Sequence, residues 1–392
     1  MRSRYRLAVY LTGATVARTG DELSGPALLL LGISVDGSAA TGSALLAGLT
    51  IAAAAGGPLL GALLDRSARP GRLLAWALLA YAGGLGAVLA LVEVPAAIAV
   101  AVAAGLLNPA LAGGWTAQLP HVLGGTPLAK ASALDAMTFT AASLAGPGLA
   151  GLVAAYAGAP AAVAVAITLV AAAFPAAWSL PAAEAKPARP IRRQLAAGFA
   201  VLFRNRALLR ATATSTVSFV GIGIAVVCYP LLGAQRLGNP GFGALLLTVL
   251  AAASLVANAV LARRPPPPDR TVLVTTGLLG ASFLLAAAGH DMVTLLAAAV
   301  LAGFAEGPQL SALFAIRHRE APPEVRAQVF TTAASVKITG LATGAAAAGP
   351  LSTLSVTAGL GAAAGFQLLA AATYVVLRTS GRTRTPSPAR AA

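Results

Sequence analysis

The chain has 392 residues, 58% of them hydrophobic and 10% charged, with a mean hydropathy of +0.81. Soluble domains are about 45–50% apolar and about 25% charged, so this composition excludes an ordinary soluble globule. The formal charge of +15 would suit a nucleic-acid binder, but the basic residues fall between long apolar runs, and a membrane protein with no nucleic-acid partner accounts for them better.

A helix that crosses a bilayer needs about 20 apolar residues. Apolar runs broken by charge, proline or glycine predict twelve spans, near 7–32, 41–63, 72–92, 95–119, 131–157, 160–180, 208–233, 242–262, 271–289, 292–316, 326–350 and 353–377. The first is too long, and too charged at Arg18, Asp21 and Glu22, to read as a cleaved signal peptide. The loops on one side carry twenty-four of the Lys and Arg residues, and the other side carries Arg236 alone. The positive-inside rule therefore predicts that both termini are cytoplasmic. The expected class is an all-α integral membrane protein in two six-helix halves, 1–180 and 208–377, with a linker over 181–207 and a basic, Ser/Pro-rich disordered tail over 378–392. In the linker, Ile191, Leu195, Phe199 and Leu202 recur at helical spacing among arginines. Both an amphipathic helix on an anionic leaflet and a solvated linker helix fit that pattern. The halves look related. Pro109 and Pro308 lie 199 residues apart, and Pro147 and Pro350 lie 203 apart. Such repeats are built into many transporters.

Three segments carry more specific information. Between spans 2 and 3 stands Gly61-Ala62-Leu63-Leu64-Asp65-Arg66-Ser67-Ala68-Arg69-Pro70-Gly71-Arg72. It resembles the loop signature of the major facilitator superfamily, matching at Gly61, Leu63, Asp65, Arg66 and Arg69, with Ala68 where the family has glycine. Gly61 permits close helix approach. A carboxylate such as Asp65 can cap the N-terminus of another helix, favoured by its dipole. The resemblance implies a conformational latch between the halves, with span 11 as the partner. In span 5, Gly146-Pro147-Gly148, followed by Gly151, resembles the antiporter bend of the same family, which is associated with exporters. Proline removes a helix hydrogen bond there and glycine lets backbones approach. In span 1, Arg18 to Ala27 resembles the charged first helix of drug-exporting members. The arginine that many proton antiporters carry deep in span 4 has no counterpart, since 97–104 holds no basic residue.

Ionisable groups at membrane depth are functional candidates by default. Here they are Arg18, Asp21 and Glu22 in span 1, Asp135 in span 5, Glu306 in span 10 and Lys337 in span 11. Arg18 can pair with Asp21 or Glu22 on one helix face. It can neutralise one of them at a time, which leaves the other as the expected proton carrier. Glu306 and Lys337 form the expected intramembrane charge pair. Asn108, Trp115, Phe304, Gln309 and Asp135 are candidates to line a substrate cavity. There is no Cys/His cluster for a metal and no phosphate-binding loop for a nucleotide, so no cofactor is expected. Catalytic Ser/His or paired-Asp spacing is missing too, which argues against an enzyme. The sequence thus predicts a proton-coupled exporter of small hydrophobic or amphiphilic molecules, monomeric, in a bacterial inner membrane. A proton/nutrient symporter of the same fold is the alternative; a non-transporting membrane receptor or scaffold is the alternative of another class.

Overall fold

In lipid every backbone N–H and C=O must be satisfied within the protein, and an apolar chain with few charges meets that demand as helices. The computed structural model describes residues 2–36, 39–91, 94–182, 190–238 and 240–379, which are helical with no strand among them. The linker residues 183–189 and the tail residues 380–392 lie outside the described residues. The helices are α1 (Arg2–Asp36), α2 (Ala39–Arg66), α3 (Pro70–Ala90), α4 (Val94–Gly105), α5 (Leu128–Ala157), α6 (Ala159–Ala172), α7 (Phe174–Trp178), α8 (Ile191–Arg204), α9 (Arg206–Leu237), α10 (Pro240–Leu261), α11 (Pro268–Ala288), α12 (Met292–Glu320), α13 (Arg326–Leu354) and α14 (Val356–Thr379). Among the described residues, nine segments are long and apolar enough to cross a membrane. Helices α1, α10 and α13 overlie the remaining expected spans.

Two expected spans are interrupted, each at a proline. After α4, Pro109 precedes a π-helical turn, Ala110–Gly114. Pro175, which lacks an N–H, opens the short α7 after α6. Helix ends follow local chemistry as well. Asn205 caps α9 by accepting from Ala207 N and Leu208 N, and Asp291 caps α12 by accepting from Thr294 N. Gly238, at φ 73°, ends α9 in the left-handed conformation that glycine adopts without cost.

Neighbours repeat between the two parts of the chain. Helix α1 packs on α5 and α6, and α9 packs on α13 and α14. Likewise α2 meets α4 as α10 meets α12, and α3 meets α6 as α11 meets α14. One apolar core lies around Leu74, Tyr81, Leu85 and Val163 and extends to Phe314 and Phe330 of the second part; another lies around Leu279, Phe283, Leu295 and Leu360. Large apolar side chains such as Ile51, Trp76 and Val293 stand fully outward, as a lipid-facing surface requires.

Contacts between the parts are concentrated at the end that carries the arginine-rich loops, here called the basic end. There α2 lies along α13. Ser335 Oγ donates to Ala53 O at 2.5 Å, and a Cβ on Gly57 would meet the side chain of Ser335. Gly113 of the π-helical turn lies against the Phe330 backbone. Nearer mid-depth, Thr140 Oγ1 and Ser254 Oγ are 3.4 Å apart and the Phe139 and Phe314 rings 5.5 Å apart. Towards the other end the same helices turn to their own neighbours. Gly42 of α2 packs on Leu29, while Gly340 and Gly344 of α13 pack on Thr216 and Val220. The parts thus close at the basic end and diverge beyond mid-depth, leaving a cleft. Glu22, in the middle of the α1 bundle contacts, is exposed into it.

Candidate functional site: a charged cleft above a closed gate

Arg18 is 2% exposed, and its partner is on another helix. Its guanidinium meets Asp135 Oδ1 of α5 at 2.9 Å, and Asp135 is itself fully buried. Arg18 also donates to Thr116 Oγ1 at 2.8 Å, to Thr138 Oγ1, and to the Leu111 and Ala112 carbonyls of the π-helical turn. Tyr10 donates to Asp135 Oδ1 and Thr116 to Asp135 Oδ2, each at 2.8 Å. The expected local pair with Asp21 or Glu22 is therefore not formed. A guanidinium has five donors in a rigid fork, and the Asp135 side offers a carboxylate, a hydroxyl and turn carbonyls together. Buried in this network, Asp135 does not line the cleft.

Asp21 accepts from Tyr81 Oη at 2.8 Å and from Asn108 Nδ2 at 2.6 Å, and Ser24 bonds the same tyrosine at 2.9 Å. This carboxylate is tied down by neutral donors. Its neighbour Glu22 makes no hydrogen bond or ion pair among the described residues. Helix α5 approaches it closely, because a Cβ on Gly146 would stand 2.6 Å from Glu22 Cβ. Gly148 and Gly151 meet nothing within 4 Å, so close approach beside Pro147 belongs to Gly146 alone.

Across the cleft, Glu306 of α12 and Lys337 of α13 are half-buried. They do not form the expected salt bridge. The Lys337 Nζ stands over two aromatic faces instead, 4.7 Å from the Phe219 centroid and 5.4 Å from that of Phe139. Arg18 covers Phe139 as well, at 3.6 Å. Lys337 remains within electrostatic reach of both Glu22 and Glu306. The cleft thus gathers two carboxylates without close partners, one from each part of the chain, around one ammonium held on aromatic rings.

The other expected cavity residues divide. Asn108 is half-buried against Asp21, and Phe304 is 44% exposed. Trp115 is fully buried, and Gln309 is 1% exposed, donating to Ser218 and to Thr276 inside a polar cluster with Gln367. Neither lines the cleft.

Below it the basic end is shut. Asp65 is 5% exposed and accepts Ala327 N at 2.9 Å and Gln328 N at 2.8 Å. It therefore caps the first turn of α13 from α2. Gly61 makes room, since a Cβ there would collide with Thr331 and Gln328. Arg66 and Arg69 point outward, and neither forms an ion pair among the described residues. Two groups were not legible as interior ones. Arg317 is 2% exposed and donates to Ser215 Oγ at 3.1 Å. His318 is 4% exposed and lies 4.4 Å from the Phe330 ring. Span 10, expected to end at residue 316, stops one residue short of Arg317 and two short of His318. A helix boundary drawn one turn later would have found them.

No curated protein matches this chain. Among solved structures, the human organic anion transporter MFSD10 (TETRAN) superposes with a TM-score of 0.74 at 19% identity, covering 95% of this chain and 100% of that one. A bacterial homologue of the iron transporter ferroportin in an outward-facing state superposes with a TM-score of 0.76 at 12% identity, covering 95% and 99%. At such identities the likeness is one of fold. Residues 10–269 match the family described as the Major Facilitator Superfamily, so this is a transporter rather than an enzyme, and the chain belongs to that superfamily.

Proposed function

We propose that this protein is a proton-coupled exporter of small amphiphilic molecules that works by alternating access across twelve spans, as a monomer, with both termini in the cytoplasm of a bacterial inner membrane. The observation that carries the reading is the cleft itself: Glu22 and Glu306, from opposite halves, share Lys337 and lack close partners. Two carboxylates and one ammonium leave one negative charge, which one proton neutralises. With the proton on either glutamate these three groups sum to zero, which leaves only the Asp21 carboxylate, hydrogen-bonded to Tyr81 and Asn108, to be enclosed as charge when the site closes. Opened to the other side, the site exchanges its proton for a substrate bound in the cleft. In this reading the basic end is cytoplasmic and the structure is outward-open, with the Asp65 cap holding the inner side shut.

Lys337 favours a second reading. An ammonium with no carboxylate within 4 Å can receive an anionic group. Such a ligand would strengthen proton binding to Glu22 and Glu306, so anion and proton would travel together, as in a symporter. The two readings differ in the sign of one measurement. When members of a panel of amphiphilic dyes, neutral, cationic and anionic, are added to solubilised protein in weakly buffered solution, export coupling predicts proton release. Proton uptake on binding an anionic dye establishes the symport reading, and no proton exchange with any bound dye refutes both.

A further inference from the structure

The bridging helix α8 has two unlike faces. Gln194, Gly198 and Leu202 are buried against the second half of the chain. Gln194 Nε2 donates to Glu324 O at 2.7 Å, and Leu202 packs with Leu208, Ala321, Val325 and Val329. Gly198 rides directly on the Gln328 side chain, whose Nε2 donates to Leu195 O at 2.9 Å. Gln328 is the same residue whose backbone N–H is capped by Asp65 of α2. One residue of α13 therefore ties the bridging helix to the contact that shuts the basic end.

The opposite face of α8 is unpartnered. Phe203 is 61% exposed and Phe199 is 36% exposed, one turn apart, their rings stacked 6.4 Å from each other. Arg192, Arg193 and Arg204 are exposed beside them, and none forms an ion pair among the described residues. Two adjacent aromatic rings are poorly placed in water, and three free guanidinium groups flank them. Rings that enter the acyl boundary while arginines meet phosphate headgroups are the chemistry of an interfacial helix on an anionic leaflet. A merely solvated linker would have no use for the ring pair.

We infer that α8 docks on anionic phospholipid through Phe199, Phe203, Arg192, Arg193 and Arg204, and that this docking holds the basic end closed through Gln328. Lipid that pins α8 fixes the Leu195 carbonyl and the Gly198 seat, so the first turn of α13 stays where Asp65 can cap it. Without anionic headgroups the helix loses its outer anchorage and the cap opens more readily. The inference rests on the reading that the basic end faces the cytoplasmic leaflet. It does not depend on the substrate or on protons.

The test uses the full chain in nanodiscs, spin-labelled at cysteines replacing Ala68 and Glu324, exposed residues on opposite sides of the closed end, in a Cys228→Ala background. Pulsed dipolar spectroscopy then compares phosphatidylcholine alone with phosphatidylcholine containing phosphatidylglycerol. The short-distance population is expected to rise about twofold or more with the anionic lipid, and to fall back in high salt. The triple variant R192Q/R193Q/R204Q and the double variant F199S/F203S leave the buried face of α8 intact. Both should match wild type in phosphatidylcholine and lose the response to phosphatidylglycerol. Gln328→Ala keeps its capped backbone N–H and should lose the response as well. Equal distributions in the two lipids, or a full response in the arginine and phenylalanine variants, overturn the lipid site. A full response in Gln328→Ala overturns the coupling. A lipid response in protein that exchanges no protons would leave this inference standing and remove the proposed function.

Discussion

Asp65 joins the two parts of the chain through a single carboxylate. It accepts two backbone N–H groups on α13, and its charge faces the positive end of that helix. Asp65→Asn keeps the shape but replaces one acceptor by a donor. The expected loss is about 1–2 kcal/mol, roughly tenfold in the ratio of closed to open basic ends. Cysteine labelling from the two sides, in a Cys228→Ala background, should show greater access from the basic end; unchanged labelling would remove the cap from the gating account. Arg18 and Asp135 make a different case, because each is almost wholly buried and satisfies the other. Asp135→Asn strands the guanidinium, and removing one member of a buried pair costs about 3–5 kcal/mol. Thermal melting in detergent should fall sharply for Asp135→Asn. A melting point within error of wild type would mean that water already solvates Arg18.

At the scale of elements, the glycines beside Pro147 in α5 give a graded prediction. Gly146 touches α1 at Glu22, whereas Gly148 faces open space. Gly146→Val should overpack the α1–α5 contact by about 1–3 kcal/mol and impair transport, while Gly148→Val should be near neutral. Dye transport by both variants in one vesicle assay checks this, and the reverse order would contradict the packing. The same helices show what a sequence discloses. The Asp65 motif is contiguous and the cap uses backbone donors that every helix start offers, so the latch contact was legible. The Arg18 to Asp135 pair joins residues 117 positions apart, and nothing local points to it. Sequence spacing puts Glu22 and Asp21 nearer, yet the π-helical turn after Pro109 supplies carbonyls that draw Arg18 the other way. The expectation that Lys337 pairs with Glu306 rests on depth alone. Depth does not reveal which helix face a side chain takes, and aromatic faces at Phe139 and Phe219 hold the ammonium instead.

For the whole molecule, the repeated neighbour pattern describes two similar helical arrays that meet at the basic end. The long apolar runs made the all-helical architecture readable, because a bilayer permits few alternatives to apolar helices. The central claim is that Glu22 and Glu306 carry the proton that drives export. Its most direct test is dye transport in inverted membrane vesicles energised by an imposed pH gradient. Wild type should accumulate a substrate dye, and Glu22→Gln, Glu306→Gln and the double variant should lose gradient-driven accumulation while still equilibrating the dye. Asp21→Asn, whose side-chain oxygen still accepts from Tyr81 and Asn108, should retain much of it. Gradient-driven accumulation at the wild-type rate in the Glu22→Gln/Glu306→Gln double variant would contradict the account.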